Sequence, residues 1–432
     1  MGMTIIEKIM ARNAGLARVS PGQFVDARVD RVIAHEEFYR IHTACELNGI
    51  PGIPRIFDLD RFHVVMEHFQ PAIDKVQALR AVKMRELAER YRLRHFRDTL
   101  AGVLHRVVME DYVVPGELAL GSDSHSCAWG ALNCAGTGMG EHELAFALTF
   151  GTLWFKVPET IKVVIEGEWH PAISGKDVAL WLAGRYTTAF ALYKAIEFTG
   201  PAVAAMSMEQ RFQLSAHAVE LGGKFGLFEY DDKTAAFLAR RKILPEHLAA
   251  AEPVSADPDA TYCQTVHLDL ATLAPQVARP HTFENVVPVD EVAGTRVHQA
   301  LVGSCANGHL EDIETVARVL KGRRVHPGTR LFVQPASWSV WREASARGFF
   351  ETILDAGGQV ISPGCHLCLG MQGRLADGEV CITATTRNHK GRMGSGNAQI
   401  YLASPATVAT SALAGVIADP RGTADDTNMK VA

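Results

Sequence analysis

Gly358-Gln359-Val360-Ile361-Ser362-Pro363-Gly364-Cys365-His366-Leu367-Cys368-Leu369-Gly370 is a short apolar run that ends in a turn holding two cysteines three apart. The run has the length of a strand, and the proline and glycines stop it. The same arrangement lies upstream. His298-Gln299-Ala300-Leu301-Val302 leads into Gly303-Ser304-Cys305-Ala306-Asn307-Gly308, and Leu310, Ile313, Val316, Ala317 and Leu320 follow at helical spacing. Between the two lie a strand over residues 330–333 and a helix over 340–347. Strand, helix, strand, with thiols at the strands' C-terminal ends, is the α/β pattern of an open parallel sheet. Cys305 is placed just before a helix N-terminus, where backbone N–H groups and the helix dipole favour a thiolate or an anionic cofactor.

Two cysteines three apart reach one metal centre from a single tight turn, and Cys305 brings a third thiol from elsewhere. Three thiolates suit an iron–sulfur cluster with one iron left without a protein ligand, because a fully ligated cubane needs four. Such an iron can serve as a Lewis acid. Spacing alone leaves two other readings open. Cys-x-x-Cys serves as a redox pair, although Cys305 then has no role. It is also half of a structural zinc site, with His366 available as a fourth ligand.

The chain has 432 residues, too many for one ordinary core, so two or three domains are expected. Apolar residues make up 47%, enough for a large interior. A net charge of −5 speaks against nucleic acid, which favours a basic face. No apolar stretch is long enough to span a bilayer, and residues 1–8 carry neither a signal-peptide nor a myristoylation pattern, so no membrane association is expected. Eight cysteines scattered through a large chain fit a reducing cytoplasm. Cys45, Cys127, Cys134, Cys263 and Cys381 sit among apolar or small residues and read as buried small hydrophobes.

Five stretches carry a family resemblance. They are Gly121-Ser122-Asp123-Ser124-His125-Ser126, Trp154-Phe155-Lys156-Val157-Pro158-Glu159-Thr160, Gly303-Ser304-Cys305, Pro363-Gly364-Cys365 through Cys368, and Thr386-Arg387-Asn388 leading to Gly391-Arg392-Met393-Gly394-Ser395. In kind, order and spacing they resemble the large-subunit family of the 3-isopropylmalate dehydratase group, within the aconitase superfamily. The resemblance implies three three-layer α/β/α domains, over residues 1–157, 158–290 and 291–432, around a [4Fe-4S] cluster on Cys305, Cys365 and Cys368. It implies a hydro-lyase of leucine biosynthesis that dehydrates or isomerises a hydroxy di- or tricarboxylic acid, 3-isopropylmalate first. Other malate derivatives stay open: 2-methylmalate/citraconate, dimethylmalate and homocitrate/homoaconitate. It also implies a partner, a small swivelling-domain subunit that supplies the catalytic serine base, because no fourth domain fits in this chain.

Residue roles follow from the same resemblance. His68 is the general acid and Glu67 its orienting partner. Asp123 pairs with His105, His125 orients water and substrate, and Glu197 partners His125. His35 and Ser124 contact substrate. Arg387 and Arg392 hold its carboxylates, for which the planar guanidinium offers two parallel donors. Without the resemblance, His35 reads as a surface histidine, His105 as a core histidine, Glu197 as a strand-end glutamate and the arginines as a basic turn. Three departures from the family pattern fall near the pocket: Glu37-Phe38-Tyr39-Arg40 in place of a small Ser/Thr/Pro turn, Glu67 in place of Asp, and His389 in place of an aromatic. Two further classes remain, an RNA-binding regulator that carries a cluster and a zinc-stabilised non-enzymatic protein.

Elsewhere the periodicity predicts helices over residues 4–13, 76–91 and 208–221, and another opening at Ser174. One strand is expected over 23–32, running on to Ala34, and others over 62–66 and 194–200. The glycine-rich run over 131–140 lacks the Lys-Ser/Thr ending of a phosphate loop and reads as close helix packing. Asp231-Asp232 reads as a turn or helix cap, and residues 419–432 as a polar tail.

Overall fold

The structure, a computed structural model, describes residues 2–68, 71–98, 102–241, 248–249 and 251–424. Contacts gather the chain into two compact units. One comprises Met1–Glu166 with Ala191–Leu268, and the other Gly167–Phe190 with Asp269–Ala432. The class is α/β, with three-layer packing of helices on parallel sheets.

In the first unit, β1 (Phe24–Arg28) pairs antiparallel with β7 (Thr152–Lys156). The single strand expected over 23–32 is therefore two. Val29-Asp30 breaks it, because the Asp30 carboxylate is drawn to the Leu118 N–H (2.9 Å) and the Asn13 amide (3.0 Å). The chain resumes as β2 (Arg31–Ala34), followed by β3 (Phe62–Val65), β4 (His95–Arg97), β5 (Leu118–Gly121) and β6 (Ala135–Gly138). These five form a parallel sheet in the order β4-β3-β2-β5-β6. Every residue of β2, β3 and β5 is buried, as in a sheet covered on both faces. The order reverses between β2 and β5, and such a switch point is where open α/β sheets place ligands.

In the glycine-rich run over 131–140, residues Ala135–Gly138 form edge strand β6, and the close packing expected there is that of a 3₁₀ segment on the strand. A Cβ at Gly136 would collide with the Ser126 carbonyl and the Trp129 ring, so glycine there lets the 3₁₀ segment Ser124–Leu132 lie directly on the sheet. A second sheet of this unit runs β10-β9-β8-β11, with β8 (Thr160–Glu166), β9 (Ala195–Thr199) and β10 (Phe225–Phe228) parallel and β11 (Gln264–Asp269) at its edge. The expected helices are present as Ile5–Asn13, Lys75–Arg90 and Met208–Ala216. Asp231 caps the helix Asp232–Ala239 through the Thr234 N–H (3.0 Å).

The second unit holds β12 (Gln276–Ala278), β13 (Val286–Pro288), β14 (Gln299–Val302), β15 (Arg330–Val333), β16 (Gln359–Val360), β17 (Val380–Thr383) and β18 (Gln399–Leu402). They form one sheet in the order β13-β12-β18-β17-β14-β15-β16. Strands β14 to β18 are parallel, and β12 runs antiparallel to both β13 and β18. The order again reverses beside the first parallel strand, between β14 and β17. Strands β12 and β13 precede residue 291 yet belong to this sheet. The helix Gly175–Tyr186, opened by a Ser174/Asp177 capping box, also lies in this unit, where Asp177 accepts from the Gln276 N–H (2.9 Å). At the C-terminus Arg421–Ala424 is a single helical turn; the rest of the expected tail, from residue 425, lies outside the described residues. Among the described residues no helix is long and apolar enough to cross a membrane.

Candidate active site

In the first unit, three strand ends deliver charged side chains to one edge of the sheet. Ser122, just past β5, receives an N–H bond from His35, just past β2, at its Oγ (3.0 Å), and its own N–H bonds the Ile33 carbonyl (2.9 Å). The two central loops are thereby tied across the switch point. Glu36 follows and is almost fully buried. Its carboxylate accepts the Glu67 N–H at 3.0–3.1 Å and lies 3.7 Å from His68 Nδ1. Glu67, just past β3, places Oε1 3.2 Å from the same Nδ1, and its Oε2 accepts the Leu104 N–H (2.7 Å).

Two carboxylates thus hold one buried imidazole. Burial opposes a charge on His68, but Glu67 and Glu36 outweigh it and raise its pKa well above the ordinary value. Glu36 is pulled down to about 2: burial alone would raise it, and its hydrogen bond and attraction to His68 prevail. His35, its ring centroid 4.4 Å from that of His68, is pushed the other way by burial and by the neighbouring cation. Its Nδ1 accepts the Glu37 N–H (3.2 Å), which fits a neutral ring. Ligand atoms of His35, Glu36 and His68 lie within 4.8 Å of one another, a spacing metal ions accept. A protonated His68 competes with that use.

Asp123 is the hub on the far side. Its Oδ1 lies 2.8 Å from His105 Nε2, 2.8 Å from the His125 N–H and 3.4 Å from His125 Nδ1, and its Oδ2 lies 3.7 Å from His68 Nε2. Burial would raise its pKa, but the bonds from His105 and His125 hold it well below the carboxylate range. The expected Asp123–His105 pair is therefore formed. Ser124 Oγ is 3.5 Å from His125 Nδ1, and Ser124 lines a cavity of about 680 Å³ with Asp123, Trp154 and Lys224.

Glu197 requires a correction. It is not the partner of His125. Its carboxylate accepts the Ile5 N–H (2.7 Å) and the Tyr262 hydroxyl (2.8 Å). Burial outweighs those two hydrogen bonds and pushes it up to about 7. The acid on His125 Nε2 is Glu220, at 2.8 Å. Sequence reasoning passed over Glu220 and gave Glu36 no role of its own. The available signals were a lone acid in the small and apolar run Ala218-Val219-Glu220-Leu221-Gly222-Gly223, and an acid beside His35 just past the apolar end of β2.

The departing segment Glu37–Arg40 is a helix start. Phe38 is buried with its ring 5.0 Å from Phe62, and Arg40 pairs with Glu37 (2.6 Å) and Glu141 (2.9 Å).

In the second unit the thiols lie beyond strand C-terminal ends, Cys305 after β14 and Cys365 and Cys368 after β16. All three are buried and none is in a disulfide. Cys305 sits in the one-turn helix Ser304–Asn307, and His309 Nε2 donates to its carbonyl (3.1 Å). Arg392 Nη2 lies 3.6 Å and Thr386 Oγ1 3.7 Å from Cys368 Sγ. A hydrogen bond from Cys365 is the largest influence on the Cys368 thiol. With Arg392 and Thr386 it brings that thiol well below the ordinary range, against the effect of burial. The core cysteines behave oppositely: burial pushes Cys127 and Cys381 up to about 12. A thiolate is what metal ligation requires, so the chemistry of Cys368, with Cys365 hydrogen-bonded to it in the same turn, fits a cluster site. His366 turns its Nε2 to Gln334 (2.8 Å). Arg387 is half-buried just past β17, and Asn388 fixes that loop through the Arg279 and Thr282 carbonyls (2.9 and 3.2 Å). His389 is exposed.

The aconitase family (aconitate hydratase) matches residues 58–415. The chain belongs to the aconitase family. The 3-isopropylmalate dehydratase large subunit of Oleidesulfovibrio alaskensis is 41% identical over 98% of this chain and 100% of its own length. That of Moorella thermoacetica is 40% identical over 97% and 99%, and large subunit 2 of Archaeoglobus fulgidus 40% over 98% and 99%. The solved holo-form of aconitase X from Thermococcus kodakaraensis overlays 91% of this chain and 89% of its own, at 12% identity and a TM-score of 0.48. Membership of the aconitase family implies an iron–sulfur cluster.

Proposed function

We propose that the chain is the large subunit of an iron–sulfur hydro-lyase that interconverts 3- and 2-isopropylmalate. The observation carrying this reading is coverage: relatives of that name match this chain essentially end to end. Cys305, Cys365 and Cys368 hold a [4Fe-4S] cluster. When bound, the cluster supplies a Lewis acid for the hydroxyl that leaves.

The chain's own side chains handle protons and anions. His68 gives its proton to the departing oxygen from Nε2, since Nδ1 is turned to Glu67 and Glu36. Those two carboxylates keep the ring charged and aimed. Asp123 holds His105 and His125 in place, and Glu220 fixes the other nitrogen of His125. Ser124, Arg387 and Arg392 bind carboxylate oxygens, and His35 contacts substrate as a neutral ring. The base that takes the carbon-bound proton is a serine of a small-subunit partner.

The test is anaerobic reconstitution with iron and sulfide, with and without a small subunit, followed by assay on 3-isopropylmalate, citraconate and 2-methylmalate. The expected result is thiolate-to-iron absorbance in the single chain and isopropylmalate turnover only with both chains. Turnover by the single chain removes the partner serine from the scheme. Stoichiometric zinc without iron overturns the reading as a whole.

A further inference from the structure

We propose that Gln334 and His366 are a positioning pair that ties the Cys305 loop to the Cys365–Cys368 turn, and thereby sets how firmly a cluster is retained. The inference rests on the three-cysteine cluster reading above. It starts from sheet order. β15 lies between β14 and β16, so the residue that follows β15 stands between the two loops that carry the cysteines. That residue is Gln334, which is 1% exposed.

Its backbone closes one loop. The Gln334 N–H donates to the Val302 carbonyl (2.8 Å) and the Ala336 N–H to the Gly308 carbonyl (2.7 Å), which brackets Cys305. A Cβ on Gly303 would stand 2.8 Å from Gln334 Cβ, and one on Gly308 2.7 Å from its carbonyl oxygen, so the contact admits no larger residue. Ser304, directly before Cys305, holds a left-handed backbone (φ +72°), a conformation that persists only where the surroundings impose it.

The Gln334 side chain holds the other loop. Nε2 lies 3.0 Å from the Ser362 carbonyl and 2.8 Å from His366 Nε2. An amide nitrogen has two hydrogens, and this geometry uses both. The second requires His366 Nε2 to accept, so the ring proton sits on Nδ1 and the ring between Cys365 and Cys368 has one orientation. His366 is fully buried, so no bulk water can replace the bond.

The experiment compares wild type with Gln334→Leu, His366→Leu and the double variant, each reconstituted anaerobically. Three quantities are read: iron and sulfide per chain, the rate at which a chelator bleaches the thiolate-to-iron absorbance, and the melting temperature of the cluster-free chain. Each single variant should bleach about tenfold faster, and the double variant no faster than the worse single, because the two residues act through one bond. A merely structural role would lower the cluster-free melting temperature and leave bleaching unchanged, or give additive rates in the double; either result overturns the proposal. If Gln334→Leu does not fold, Gln334→Glu keeps the shape without the donor hydrogens and should also bleach faster. Wild type that takes up no iron sinks the cluster reading and this proposal together. Wild type that loads normally beside variants that bleach at the wild-type rate sinks this proposal alone.

Discussion

The five-stranded parallel sheet of the first unit and the parallel part of the seven-stranded sheet of the second share one wiring order and carry opposite chemistries. In the first unit the strands run β4-β3-β2-β5-β6, and in the second β16-β15-β14-β17-β18, so each has its first strand central and its order reversed beside it. At the first edge, His35-Glu36, Glu67-His68 and Asp123 to His125 follow the strands. At the second edge the corresponding positions are filled by Cys305, Gln334 and Thr386-Arg387, with Cys365 and Cys368 after the outermost strand. The scaffold fixes where loops end, and the few residues after each strand decide what those ends can do. The first edge is hard and ionic: protons shared among imidazoles and carboxylates. The second is soft: the Cys368 thiol, beside the Arg392 guanidinium and the Thr386 hydroxyl, is held well below the ordinary range.

The sharpest way to break this comparison is to damage one edge at a time. Cys368→Ser should abolish cluster binding, read as iron and sulfide content, and activity with it. His68→Asn should lower kcat about 10²–10⁴-fold while iron content stays at the wild-type value. Loss of iron in His68→Asn, or full iron in Cys368→Ser, would show that the two edges are not separate devices.

A smaller effect tests what keeps His68 charged. Its pKa is raised, so the active form exists at low and neutral pH and is lost as pH rises through the folded value. Glu36→Gln removes one of the two carboxylates. The alkaline limb of kcat/KM should then move to lower pH by about 1–3 units. An unmoved limb would leave Glu67 as the sole support. At the second edge, Arg387→Lys replaces a fork of parallel donors with a point charge. KM should rise about tenfold with kcat less affected.

These residues were not equally legible in the sequence. The cysteine turn, the Asp-Ser-His loop and the arginines announce themselves because each lies in a short stretch of unusual composition just after a strand. The Asp123–His105 pair was accessible by resemblance. The pairings of Glu36, Glu220 and Gln334 were not, since each works through a partner that only the folded sheet brings near: His68 across the gap between β2 and β3, His125 from a separate turn, His366 beyond β16. Glu197 failed for the same reason in reverse. Its position at a strand end is right, but its carboxylate turns to the Ile5 N–H and the Tyr262 hydroxyl. The break at Val29-Asp30 was hidden because a side-chain acceptor, not a proline or glycine, stops β1.

Glu197 also supplies the smallest and most discriminating test, because it is a buried carboxylate without the imidazole that Glu36 has. Glu36 is depressed to about 2, so its contribution is fully present above the ordinary carboxylate value and is lost as pH falls toward 2. Glu197 is raised from 4.5 to about 7, so the folded chain prefers it protonated: stability is greatest below the ordinary value, declines as pH rises, and the penalty is complete above about 7. That penalty is on the order of 3 kcal/mol. Glu197→Gln keeps an oxygen for the Ile5 N–H and can turn its amide to the Tyr262 oxygen, so both partners stay satisfied without a charge. Its melting temperature should match wild type at pH 5 and exceed it by a few degrees at pH 8. Glu36→Gln should show no such gain at pH 8, because it removes a charge that His68 balances. Equal pH slopes in the two variants would mean that burial alone, and not the neighbouring imidazole, decides the state of a carboxylate in this unit.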